Sequence, residues 1–233
     1  MNADEGDLLV EKLQAGWLGR NVLDIGAIRF KAGEVSLVAG HNGAGKSTLL
    51  QCVSGFLKPQ AGEILFGGRP VVPTDSCLLT QGKNLFFGMT VIQNICLGRF
   101  GRFVVGRRDI ASIRNEVEIK FPLLVDSLDD RAECLSGGMQ QMAAVARTLL
   151  SNSAVVLLDE PSIGINDRVF CGVGRTIREA AMRERRIVIL VEHRLSLALP
   201  LADSIFILRG GRVVYEGPAS KLHCVDDLRE YYV

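Results

Sequence analysis

Glu34-Val35-Ser36-Leu37-Val38-Ala39-Gly40-His41-Asn42-Gly43-Ala44-Gly45-Lys46-Ser47-Thr48 joins an apolar run to a helical pattern through a glycine-rich loop. Residues 34–39 read as a buried strand and Lys46 to Ser54 as the helix after it. The loop fits G-x-x-x-x-G-K-[ST] in full, in the strand–loop–helix setting that gives the pattern its meaning. Glycines let the backbone wrap a phosphate chain with successive N–H groups turned inward. The helix N-terminus adds a partial positive charge at the same place. Lys46 is expected to put a full charge on the β- and γ-phosphates, and Ser47 a hydroxyl on Mg²⁺.

Outward from this loop, apolar runs alternate with helical patterns, which argues for βα units and a largely parallel sheet. Residues 154–158, 187–191 and 204–208 are continuous apolar runs, as expected of strands covered on both faces. The first thirty residues and Glu63 to Phe66 are Gly-bounded and partly alternating, which suits shorter, antiparallel strands. Residues 90–152 carry no strand pattern, and three helices are expected there: Thr90 to Leu97, Asp109 to Lys120 and Gly138 to Leu150.

Composition limits the classes of function. The 233 residues are 48% hydrophobic and 23% charged, a globular balance, with a formal net charge of +1. Charge that even leaves no global footprint for nucleic acid or anionic lipid. No stretch approaches the ~18 apolar residues of a membrane helix, and the acidic Met1 to Asp7 is no secretory signal. Six cysteines without a C-x-x-C pair form neither a zinc pattern nor a disulfide framework. They are expected to be buried, reduced thiols of a cytosolic protein.

Two further motifs carry chemistry. Val155-Val156-Leu157-Leu158-Asp159-Glu160 ends a strand in two carboxylates. Alternation along a strand points them in different directions. Asp159 is expected to hold the Mg²⁺ shell and Glu160 to act as general base on the attacking water. Leu135-Ser136-Gly137-Gly138-Met139-Gln140-Gln141 places a serine and two glycines at a helix start, a second anion-binding arrangement.

Together these motifs resemble the ABC-transporter ATPases over nearly the whole chain, in the family's order. The resemblance implies an α/β fold of the P-loop NTPase class. Its mainly parallel RecA-like core and antiparallel β subdomain would be built from residues 1–82 and 139–233, and a helical subdomain from 83–138. It implies ATP and Mg²⁺ as ligands. Gly40 to Thr48 correspond to the Walker A loop, and Ser136, Gly137, Gly138 and Gln140 to the signature that meets a partner's ATP. Gln81 matches the family's glutamine loop, which touches Mg²⁺ and the lytic water. His193 matches the switch histidine on the γ-phosphate. Trp17 resembles the aromatic that stacks on adenine, with a core or surface aromatic as the rival reading. One position departs from the pattern: Asn166 stands where the family's D-loop ends in Asp, which puts the usual D-loop contact across the dimer in doubt.

The resemblance also implies partners. ATP would be sandwiched in a dimer of this chain with itself or with a sister ATPase. The helical insert would dock integral membrane permeases, which places the chain in the cytoplasm, peripheral on the inner face of the membrane. The run from Arg99 to Arg108, with Arg99, Arg102, Arg107 and Arg108, reads as a solvated stretch or as part of that docking surface. Gln81-Gly82-Lys83-Asn84-Leu85-Phe86, Met89-Thr90-Val91 and Asn94 look like the branched-chain amino acid and urea importer ATPases, which serve a solute-binding protein. Lipopolysaccharide-export and iron–sulfur assembly ATPases stay open as alternatives.

Overall fold

The computed structural model describes residues 6–82, 85–100 and 106–222. Two sheets carry the chain. The smaller is antiparallel, in the order β2-β1-β4-β5, from β1 (Leu8–Trp17), β2 (Arg20–Phe30), β4 (Ala61–Phe66) and β5 (Arg69–Pro70). The larger has six strands in the order β10-β9-β3-β8-β7-β6. Its members are β3 (Val35–Ala39), β6 (Ser76–Leu79), β7 (Val155–Asp159), β8 (Ile187–Val191), β9 (Ser204–Arg209) and β10 (Arg212–Pro218). Pairings among β9, β3, β8, β7 and β6 are parallel, and β10 closes one edge antiparallel to β9.

The apolar runs of this sheet are continuous because both faces are covered. Val35, Leu37, Val156, Leu158, Val188 and Leu190 face one hydrophobic cluster. Val38, Val155, Leu157, Ile187, Ile189 and Val191 face the other, as a two-residue period requires. The first cluster is closed by α2 (Val91–Phe100), α3 (Arg107–Lys120), α4 (Gly137–Leu149) and α5 (Asp167–Met182). The second lies under α1 (Lys46–Val53) and the antiparallel sheet. Ile95, Ile113, Val117 and Leu124 of the helical segment thus share one core with the parallel sheet.

The strands and helices read from the sequence are present, and the structure departs from the reading in other respects. Cys134 and Cys171 are exposed rather than buried, because each lies on an element's solvent side. β1 and β2 span 10 and 11 residues and are the longest strands, not short ones. Their inward positions, Leu8, Val10, Leu13, Leu23, Ile25, Ile28 and Phe30, are all buried, so the pairing is anchored along the whole hairpin. The edge strand β10 was not expected; its alternating half-exposed pattern has little apolar signal. Arg99 is no free member of a docking run, because its guanidinium pairs with Glu116 of α3 at 2.6 Å. Arg107 and Arg108 are exposed in the first turn of α3, while Arg102 lies outside the described residues. No described helix is long and apolar enough to cross a membrane.

Candidate functional site: a phosphate cradle at the carboxyl edge

Four parallel strands end side by side. The phosphate loop follows β3, Gln81 follows β6 by two residues, Glu160 follows β7, and Glu192-His193 follow β8. Ligands of open α/β sheets bind at this carboxyl edge. Val22, Asn42, Gly43, Gly45, Lys46, Ser47, Thr48, Gln81, Glu160 and His193 line one open cleft of ≈ 470 Å³ there.

The phosphate loop is set up for an anion. Gly45 precedes α1 with φ 103°, a left-handed conformation that a side chain would strain, and no side chain caps the helix. The first-turn N–H groups have no intrahelical acceptors, so they are available to phosphate oxygens. Lys46 is buried, and its Nζ donates to the carbonyls of Gly40 at 2.7 Å and His41 at 2.9 Å. Burial pushes its pKa down, against the opposing pull of Glu160 and Asp159.

Asp159 is also buried, and burial pushes its pKa up; a hydrogen bond from Ser47 and the nearby Lys46 charge act the other way. Asp159 Oδ1 has no hydrogen-bond partner. A buried carboxylate oxygen without a partner normally has a ligand to explain it, and hydroxyl plus carboxylate is the oxygen set that suits Mg²⁺. Ser47 and Asp159 therefore fit a nucleotide-bound Mg²⁺. Among the described residues no three His, Cys, Asp or Glu side chains cluster as a self-sufficient metal site.

Glu160 is the junction of the site. Its backbone has φ 52°, rare for a residue with a side chain. Its N–H is held by the Val191 carbonyl at 2.9 Å. Strain of this kind costs on the order of 1–3 kcal/mol and gathers at functional sites. It turns the Glu160 side chain out of the strand's alternation, where Oε1 meets the Gln81 amide and lies 3.0 Å from His193 Nε2. Sequence reasoning brought these three residues together only through the resemblance; the left-handed backbone that joins them has no local sequence signal. Gln81 was expected on the metal, but its amide here is on Glu160 rather than on Ser47 or Asp159.

The signature borders the phosphate cleft without lining it: Gly137 and Gln140 share an adjoining cavity of ≈ 280 Å³ with Gln81 and Glu160. Ser136 caps α4 and accepts from the Met139 N–H at 3.4 Å. Gln140 turns inward: its Nε2 donates to the carbonyls of Ala132 and Leu135 at 3.0 and 3.2 Å. Its observed role is to hold the loop that precedes Ser136. None of Ser136, Gly137, Gly138 or Gln140 lines the phosphate cleft. Trp17 does not line it either. It stands 44% exposed at the end of β1, on the same hairpin as Val22, which does. Asn166 is the N-cap of α5, its Oδ1 accepting from the Arg168 N–H at 2.9 Å. Asn and Asp cap equally well, so the departure from Asp leaves the helix start intact.

Sequence reasoning missed two residues. Glu192, 3% exposed, accepts N–H bonds from His193, Arg194 and Ser162. Arg194 donates to Ser162, Ile165 and Asp167. Their only sequence signal is adjacency to His193.

Comparison with known proteins gives the family and the fold. The family model "ABC transporter" matches residues 24–163. The chain is 33% identical over 215 residues to the high-affinity branched-chain amino acid transport ATP-binding protein BraG of Pseudomonas aeruginosa, covering 89% of this chain and 91% of that protein. It is 34% identical over 224 residues to the phosphonates import ATP-binding protein PhnC 2 of Cupriavidus necator, covering 87% and 78%. The crystal structure of the ADP conformation of MJ1267, an ATP-binding cassette of an ABC transporter, superposes with a TM-score of 0.81 at 22% identity, covering 97% of this chain and 98% of that one. With the phosphate loop, the paired carboxylates and the fold all in agreement, the chain belongs to the ABC transporter family, as an ATP-binding subunit whose ATPase activity is coupled to transport.

Proposed function

We propose that the cleft over Gly40 to Thr48 holds the ATP phosphates and that Glu160 removes the proton from the attacking water. The observation that carries this reading is the meeting of Gln81 and His193 on Glu160 Oε1, beside Lys46 and Ser47. The Gln81 amide and the His193 imidazole orient the carboxylate toward the cleft. Lys46 and the first-turn N–H groups of α1 neutralise phosphate charge, and His193 reaches the γ-phosphate. Mg²⁺, when bound at Ser47 and Asp159, supplies further charge neutralisation. Positioning and electrostatics of this kind account for most of the catalysis in phosphoryl transfer.

Ser136, Gly137 and Gly138 do not line the phosphate cleft of their own chain, and in this reading a second cassette brings its own signature to close it. It is either another copy of this chain or a sister ATPase. The partners in the membrane are permease subunits, with the chain peripheral on the cytoplasmic face. The transported solute is a branched-chain amino acid or a related small solute delivered by a binding protein. Support comes from the stretch Gln81 to Asn94 and from the likeness to BraG; the similar identity to PhnC 2 makes phosphonate the competing solute.

Glu160→Gln tests the catalytic reading. ATP binding is retained, turnover falls by a factor on the order of 10²–10⁴, and ATP-bound dimers accumulate on size exclusion. Unchanged hydrolysis refutes it. Affinity purification from gently solubilised membranes tests the transport reading. Two permeases and a second ATPase are expected, and the associated binding protein identifies the solute; soluble partners alone overturn it.

A further inference from the structure

The loop between Glu160 and α5 is fastened from both sides of His193. On the N-terminal side, the buried Glu192 carboxylate accepts the N–H groups of His193 at 2.9 Å and Arg194 at 3.0 Å through Oε1, and that of Ser162 at 3.3 Å through Oε2. On the C-terminal side, the Arg194 guanidinium donates to Ser162 Oγ at 2.9 Å, to the Ser162 and Ile165 carbonyls, and to the Asp167 carboxylate. A planar fork fixed by several acceptors holds geometry that one flexible contact cannot. The same loop touches the signature helix, where a Cβ on Gly138 would lie 2.6 Å from the Gly164 carbonyl. Contacts therefore run without a gap from Gly138, through Gly164 and Ile165, to Arg194 and His193, and from His193 to Glu160.

We propose that Arg194 is a positioning residue that, with Glu192, locks residues 162–167 to the His193 loop and so holds the His193 imidazole in reach of Glu160. Arg194 does not line the phosphate cleft; it acts through His193. This inference rests on the role given to His193 above. A bonded chain of contacts is the physical substrate of coupling, and coupling itself is measured by paired perturbation.

The test uses the full chain with ATP bound, as wild type, Arg194→Ala and Arg194→Lys, with hydrogen exchange read by mass spectrometry. In Arg194→Ala, residues 162–167 and 193–197 both exchange faster, by about tenfold, the scale set by lost charge-assisted hydrogen bonds, while α1 keeps its protection. Arg194→Lys restores part of that protection, since an ammonium reaches one of the acceptors but not the set. In steady state, kcat falls about tenfold with KM for ATP unchanged, and Arg194→Ala costs nothing more in a His193→Ala background. Faster exchange confined to 162–167, or losses that add to those of His193→Ala, would overturn the proposal. If His193→Ala keeps full turnover, the catalytic role of His193 falls, and the exchange data alone still decide whether the two loops are locked together.

Discussion

Replacing Asp159 by Asn should make the protein more stable and less functional at once. Asp159 is 4% exposed, its Oδ1 has no partner, and burial is the main reason its pKa is raised. An unsatisfied buried polar atom costs about 1–3 kcal/mol, more when charged. Asn keeps the shape and still accepts from the Ser47 hydroxyl through its one oxygen, and its NH2 takes the place of Oδ1, so what the substitution removes is the buried charge. Taking about 1 kcal/mol as relieved, the melting temperature of the nucleotide-free protein rises by about 2–4 °C near neutral pH. The sign with pH follows from the raised pKa. Protonation of Asp159 stabilises the wild type as pH falls through that pKa, and this contribution is lost as pH rises above it. The variant has no such group, so the gap between the two proteins closes on acidification, beginning above the ordinary Asp range. Mg²⁺ reverses the order. Wild type at 100-fold excess over the dissociation constant gains about 2.7 kcal/mol from Mg–ATP, whereas the variant gains no more from Mg–ATP than from ATP with chelator. Scanning fluorimetry at several pH values, with Mg–ATP and with ATP–EDTA, reads all three effects. A variant that melts below wild type near neutral pH refutes the burial penalty assigned to Asp159, and one that keeps the full Mg²⁺ increment refutes the placement of the metal on it.

Three other perturbations follow from the geometry. Gly138→Ala puts a methyl 2.6 Å from the Gly164 carbonyl; overpacking of about 1–3 kcal/mol displaces the loop and lowers ATPase turnover, and wild-type turnover would show that the signature helix and loop need not touch. Trp17 is the only tryptophan, so its emission reports directly on adenine. Stacking quenches it on ATP binding, and Trp17→Ala weakens binding about tenfold, at the low end of base–aromatic stacking; emission unchanged at saturating ATP removes Trp17 from the site. Arg186, 6% exposed, donates to the carbonyls of Ser153 and Leu149 and to Ser151 Oγ. Arg186→Ala leaves these acceptors unpaired and is expected to cost about 3 kcal/mol in urea unfolding; a loss under about 1 kcal/mol would mean that water replaces the guanidinium.

The sequence by itself determined the sheet, the phosphate loop and the paired carboxylates, because each is written in a short local pattern. An apolar run such as Val155 to Leu158, short, opening on β-branched valines and followed by polar residues, reads as a strand covered on both faces, and a loop such as Gly40 to Ser47, with glycines and a lysine at fixed spacing before a helix, has few other uses. Gln81 and His193 were legible only through family resemblance, since one residue after a strand carries no signal of its own. Only the tertiary structure decided how these parts meet. The positive φ of Glu160 joins β7 to Gln81 and His193 across three strand ends, and no local preference encodes it. Arg194 and Glu192 take their meaning from partners some thirty residues away, Ser162 above all. Gln140, assigned from its motif to a partner's nucleotide, was turned inward by the carbonyls of Ala132 and Leu135. The physical reason is common to all of these: apolar periodicity is a property of consecutive residues, whereas a hydrogen-bonding fork or a strained turn is defined by acceptors that only the folded chain brings within reach.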